Sequence, residues 1–104
     1  MKINIPANSE LKTIGESAFE HTKMDSISIP SCLTEIKNSA FIDCYYLTKV
    51  DIPSNSKLEK LGSNVFINTQ ISDFYIPSNL NEINDGCFAT ILPVNFSISP
   101  SNHS

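Results

Sequence analysis

Apolar and polar positions alternate along this chain in short runs that recur at a regular distance. Ile27-Ser28-Ile29, Val50-Asp51-Ile52 and Phe74-Tyr75-Ile76 each alternate with period two, as a half-buried strand does. A proline follows each run, at Pro30, Pro53 and Pro77. Proline has no amide hydrogen to give to a ladder, so it ends the strand and opens a turn. A spaced apolar pair comes next and returns along the opposite face: Leu33 and Ile36, Leu58 and Leu61, Leu80 and Ile83. A small residue and a phenylalanine follow, as Ala40-Phe41, Val65-Phe66 and Cys87-Phe88, with Cys44 or Thr69 after the first two. That last segment suits a single helical turn, which sets Ala40 and Cys44 on one face.

The whole pattern repeats without gaps every 47 residues, pairing Pro6 with Pro53, Pro30 with Pro77, Phe19 with Phe66, and Phe41 with Phe88. Each such unit divides again into two of 23 or 24 residues. A period in the twenties that fixes apolar positions marks a solenoid, in which stacking buries the side that a lone unit would leave wet. The expected fold is a β-dominated α/β solenoid, a curved sheet of about five short parallel strands with short helical turns on the convex side. The two half-units are unequal. Pro6 and Pro53 precede the next leucine by five positions, Pro30 and Pro77 by three, and later segments offset the difference. Asn8, Cys32, Asn55 and Asn79 also fall in register, which predicts a ladder of turn amides bonded to neighbouring coils.

Residues 1–96 read as the solenoid, about four units, and 97–104 as a degenerate last strand and polar tail. The 47-residue register puts Ser97 and Ser99 where Val50 and Ile52 stand; Phe96 and Ile98 supply the apolar pair only by a one-residue slip. Neither end looks like a dedicated cap. An open solenoid exposes apolar surface and strand edges, so the chain is expected to be part of a longer array or to self-associate through an end.

Composition narrows the function classes. A formal net charge of -4 and a pI near 4.9 argue against nucleic acid, whose binders need a basic footprint. No apolar run approaches the roughly 20 residues that span a bilayer, and the opening Met1-Lys2-Ile3-Asn4-Ile5-Pro6 lacks the apolar stretch of a signal peptide. Two sequons, Asn95-Phe96-Ser97 and Asn102-His103-Ser104, point weakly the other way, towards secretion. Cys32, Cys44 and Cys87 cannot all pair with one another, and no Cys/His spacing suggests a metal site.

The run Ile29-Pro30, Leu33, Ile36, Ala40-Phe41, Cys44, Leu47, Val50, Ile52-Pro53 resembles the BspA-like (Treponema-type) leucine-rich repeat. Gly15 and Gly62 match the glycine of that class, while Lys37 and Asn84 depart from it. The resemblance covers residues 3–94. It implies a right-handed horseshoe or arc, and a place in larger surface proteins associated with adhesion and protein binding. The compartment stays open, with cell surface or secretion implied by the resemblance.

If large apolar residues face the core, the residues between them line the concave face. These are Lys2, Asn4, Ser26, Ser28, Lys49, Asp51, Asp73 and Tyr75, with Asn95 or Ser97. Tyr75 beside Asp73, next to Lys49 and Asp51, offers the amphipathic and charged contacts that interfaces favour. A passive sheet face with one aromatic in a cross-strand pair is the competing reading.

No cofactor is implied, and catalysis has little support. His21 and His103 have no nucleophile beside them in sequence, and no phosphate loop, GxSxG or HExxH occurs. Glu35 and Glu82 recur one repeat pair apart, which suits a solvated face. The expectation is a non-catalytic protein-binding module, similar to a fragment of a surface adhesin with a host or matrix protein as ligand. A structural spacer or intracellular interaction scaffold is the alternative.

Overall fold

The computed structural model describes residues 2–3, 5–6, 8–89 and 94–98. The chain winds as a β-solenoid. Its concave strands are β1 (Lys2–Ile3), β3 (Ser26–Ser28), β5 (Lys49–Asp51), β7 (Asp73–Ile76) and β9 (Asn95–Ile98). Between them lie four two-residue strands, β2 (Thr13–Ile14), β4 (Glu35–Ile36), β6 (Lys60–Leu61) and β8 (Glu82–Ile83). The pairings are parallel and, apart from that of β7 with β9, join equivalent positions of adjacent coils, such as Ile27 with Val50 and Ile36 with Leu61. The second ladder arises where the spaced apolar pair returns along the coil.

The strands follow their alternation. In β3 and β5 the central Ile27 and Val50 are buried while their neighbours are not. The core gathers Met24, Ile27, Leu33, Ile36, Leu47, Leu58, Leu61 and Ile71 around a column of rings. Phe19 stacks on Phe41 at 5.4 Å, Phe41 on Phe66 at 5.5 Å, and Phe66 on Phe88 at 5.3 Å. The column ends when Phe96 meets Phe88 edge-on at 4.9 Å. β9 pairs Phe96 with Phe74 and Ile98 with Ile76, so the last strand takes the one-residue slip. It crosses the boundary expected between solenoid and tail; Ser99 to Ser104 lie outside the described residues.

The expected helical turns do not form: among the described residues there is no helix, and the fold is β throughout. The backbone gives the reason. Ser17 and His21, Ser39 and Asp43, and Asn64 and Asn68 have φ between 56° and 62°, and Gly86 has φ 71°. A right-handed helix cannot carry such residues; asparagine, aspartate and glycine tolerate them best. Successive amides therefore alternate in direction. Those of Ala18, Glu20 and Thr22 close local turns onto Gly15, Ser17 and Phe19, while those of Ser17, Phe19 and His21 reach the carbonyls of Asn38, Ala40 and Ile42 in the next coil. A helix would direct every amide back into its own segment and leave the coils unjoined here.

The unequal half-units also have a hydrogen-bond basis. In the short turns the leucine amide bonds directly to the proline carbonyl, Leu33 to Pro30 and Leu80 to Pro77. In the long turns the serine amide takes that carbonyl, Ser9 to Pro6 and Ser56 to Pro53. The serine hydroxyl then accepts the leucine amide, from Leu11 and from Leu58, each at 3.1 Å. Ser56 is buried, so Ser56→Ala strands the Leu58 amide and is expected to cost about 1–3 kcal/mol in urea denaturation. Ser9→Ala, at an exposed turn, is expected to cost less than about 1 kcal/mol.

The expected amide ladder forms one rung, Asn79 Nδ2 to the Ser56 carbonyl at 3.3 Å. The other amides that join coils lie elsewhere: Asn38 Oδ1 accepts the Ser63 amide at 2.9 Å, and Asn84 Nδ2 donates to Leu61 at 3.0 Å. No helix among the described residues is long and apolar enough to cross a membrane.

Candidate functional site

The register of the concave strands lays the intervening residues out in two rows. Lys2 lies opposite Ser26 and Ser26 opposite Lys49; Asp73 lies opposite Asn95. In the second row Ser28 lies opposite Asp51, and Tyr75 opposite Ser97. Asn4 falls outside the described residues.

The sheet is discontinuous between these groups. β1, β3 and β5 form one ladder and β7 and β9 another, with no ladder between β5 and β7. A departure from the 47-residue repeat coincides with the break: Phe74 stands where Ile27 stands one period earlier. A single residue, Gln70, connects Thr69 to Ile71, as Lys23 connects Thr22 to Met24, whereas Tyr45 and Tyr46 connect Cys44 to Leu47. Gln70 bonds back twice, its amide to Leu47 at 2.9 Å and its side chain to Tyr45 at 2.7 Å. Phe74 also takes the slot of Val50, and its ring packs at 4.8 Å from Phe88.

A hollow of about 450 Å³ lies over the break, bordered by Lys49 and Val50 on one side and Ser72, Asp73 and Tyr75 on the other. Ser28 and Asp51 border a second hollow instead, of about 390 Å³, over the prolines at the strand ends. Ser26 borders neither. The six candidate residues thus divide between two places. Lys49 Nζ lies 3.5 Å from Asp51 Oδ1, an ion pair weakened by exposure of 68% and 48% of the two side chains. Asp73 is exposed.

The floor of the second hollow, Ile29, Pro30, Ile52 and Pro53, consists of residues that the sequence pattern assigns to core and turn. Only their recurrence at the strand end could have pointed to them. A separate side-chain ladder runs along the convex turns: His21 Nε2 lies 3.2 Å from Asp43 Oδ2, and Asn68 Nδ2 donates to Asp43 Oδ1 at 2.8 Å. Beside it Tyr45 and Tyr46 are exposed, and Tyr45 meets His21 edge-on. Glu35 and Glu82 sit on β4 and β8 with Lys60 of β6 in register between them. His103 lies outside the described residues, among which no cluster of His, Cys, Asp or Glu could hold a metal.

The cysteines are unpaired. Burial pushes the Cys87 thiol up to about 12 from an ordinary 9.0, and burial raises Cys44 as well. Cys44 Sγ donates to the Phe19 carbonyl at 3.0 Å. Iodoacetamide on the native chain at pH 8 is therefore expected to label the half-buried Cys32 alone, as mass spectrometry would show. Because the folded chain holds the Cys87 proton more tightly, this group's contribution to stability is full below pH 9 and is lost between pH 9 and about 12.

Residues 1–95 match the sequence profile of the BspA type leucine rich repeat region in 6 copies, where the backbone makes about four turns. The fold resembles the crystal structure of a leucine-rich repeat protein from Bacteroides capillosus, with a TM-score of 0.81. That protein is 21% identical, and the match covers 93% of this chain and 75% of that one. At this identity the likeness speaks for the fold alone. No curated protein matches the chain.

Proposed function

The chain belongs to the BspA-type leucine-rich repeat family, and from that premise we propose that it is a non-catalytic protein-binding module whose concave face makes the contact. The observation that carries this reading is the hollow at the β5/β7 break, where the non-repeating Asp73 and Tyr75 meet Lys49 on an otherwise repetitive surface. A tyrosine between charged groups suits a contact centre, because it brings apolar area and a hydroxyl with few rotamers to freeze. The role fits a surface adhesin with a host or matrix protein as ligand.

The test is capture of a protein ligand from host or matrix extract by the wild-type chain and by the Asp73→Ala/Tyr75→Ala double variant. Both sites lie outside the buried core, so the variant is expected to fold, and binding is expected to fall at least tenfold. Unchanged capture by a folded variant rejects the concave contact and favours a spacer or scaffold. Association through the solenoid ends is supported by exposed Leu11 near one end and exposed Ile83 and Phe96 near the other. Light scattering that shows a strict monomer at high concentration would reject it.

A further inference from the structure

The two hollows on the concave side differ in chemistry and share a strand. Lys49 borders the polar one and Asp51 the apolar one, two positions apart on β5, or about 7 Å. The floor of the apolar hollow is Ile29, Pro30, Ile52 and Pro53. Proline carries no amide hydrogen, so this floor offers an occupant carbon, with the polar side chains of Ser28, Ser31 and Asn55 on the lining around it. Its volume of about 390 Å³ lies within the range of sites that accept a side chain or small ligand.

The charges on this face do not balance. Lys49 already faces Asp51 at 3.5 Å. Asp73 has no ion pair or hydrogen bond through its carboxylate among the described residues, and it stands beside the ring of Tyr75. The uncommitted charge here is thus a single carboxylate next to an aromatic ring, in a chain of formal net charge -4. A cation answers both features, through a charge-assisted hydrogen bond and contact with the ring face. An anionic group would meet two carboxylates.

Resting on the reading of the concave face as the contact surface, we infer that this face takes an extended peptide segment. That segment sets a lysine or arginine side chain against Asp73 and Tyr75 and an apolar side chain in the proline-floored hollow. Asp73 holds the Lys49 slot one strand over, about 5 Å aside, and the floor at Ile52 lies three positions on from Lys49, or about 10 Å, just past β5. The two places are thus at least about 11 Å apart, which three or four residues of extended chain span.

Selection of random displayed peptides on the folded chain, followed by fluorescence polarisation, tests the inference. Recovered sequences are expected to carry Lys or Arg three or four positions from Leu, Ile, Val or Phe. Asp73→Asn should weaken a recovered peptide about tenfold. Replacing that peptide's arginine with citrulline should matter for the wild type and not for Asp73→Asn. Ser28→Phe, which fills the apolar hollow from its rim without touching the core, should weaken the same peptide while circular dichroism stays native.

Peptides that need Tyr75 but lack the cationic and apolar pair overturn the inference and leave the concave contact standing. Peptides indifferent to Asp73→Asn, Ser28→Phe and Tyr75→Ala overturn both. Recovery of no peptide overturns the inference alone, because a preformed site of this size should bind short segments unaided.

Discussion

Phe66→Ala is expected to destabilise the chain by about 3–5 kcal/mol, the range for removing a fully buried ring. Phe66 is inaccessible to solvent and sits in the middle of the column. Its ring meets Phe41 at 5.5 Å, Phe88 at 5.3 Å and Phe74 at 5.7 Å. Truncation therefore opens a cavity that borders three successive coils, and none can collapse into it without breaking the turn ladder. That ladder includes the Phe66 amide, which donates to Cys87 at 2.9 Å, and the Val65 carbonyl, which accepts from Phe41 at 3.0 Å. A domain of about this size loses roughly 4–8 °C of Tm per kcal/mol, so a drop of at least about 12 °C should appear in thermal melts. Phe96→Ala is the control. That ring is 48% exposed, and its loss is expected to cost less than about 2 kcal/mol. Equal effects of the two variants would mean that the column is not the centre of stability.

Gly62→Ala is expected to cost about 2–4 kcal/mol, although it adds only a methyl group. A Cβ at Gly62 would lie 2.6 Å from the Asn38 amide nitrogen and 2.8 Å from the Lys37 carbonyl carbon. Both are backbone atoms, so relief requires the second and third coils to part. Parting them strains the Gly62 amide bond to Ile36 at 2.8 Å and the Ser63 amide bond to Asn38 Oδ1 at 2.9 Å. Gly15 stands at the equivalent place in the first coil, where a Cβ would meet nothing within 4 Å. Gly15→Ala is expected to be neutral, or to stabilise by up to about 1 kcal/mol by restricting the unfolded chain. Paired urea titrations of the two variants decide the matter; similar midpoints would overturn the close-approach argument.

Strand and proline positions were open to sequence reasoning because each depends on local chemistry. Period-two alternation sets which side of Val50 or Ile27 is buried, and a proline ends a strand wherever it stands. The turns around the phenylalanines depart from the expected helix for an equally physical reason. Spacing of Ala40 and Cys44 suits either a helix turn or a pair of β-turns; the deciding fact is that Ser39 and Asp43 adopt positive φ, and their amides and that of Phe41 bond to the next coil. That choice depends on a neighbour 22 or more residues away. The concave residues could be named from alternation, yet nothing in their spacing separates Lys49, Asp73 and Tyr75 from Ser28 and Asp51 into two hollows. The break between β5 and β7 makes that separation.

The sequence by itself determined the repeat, the concave strands and the identity of most core residues, because a period that recurs in register leaves one way to bury all its apolar positions together. Tertiary structure alone decided which members of a repeated set matter. Gly62 and Gly15 are the same letter in the same slot, and only the coil packed beneath Gly62 makes its missing side chain necessary. Likewise Asn79 bonds the preceding coil, whereas no side-chain bond to a neighbouring coil forms at its equivalents Asn55 and Asn8 among the described residues. The physical reason is common to both. In a solenoid every contact beyond the local turn is made with an adjacent coil, so the worth of a residue is set by what stands one period away.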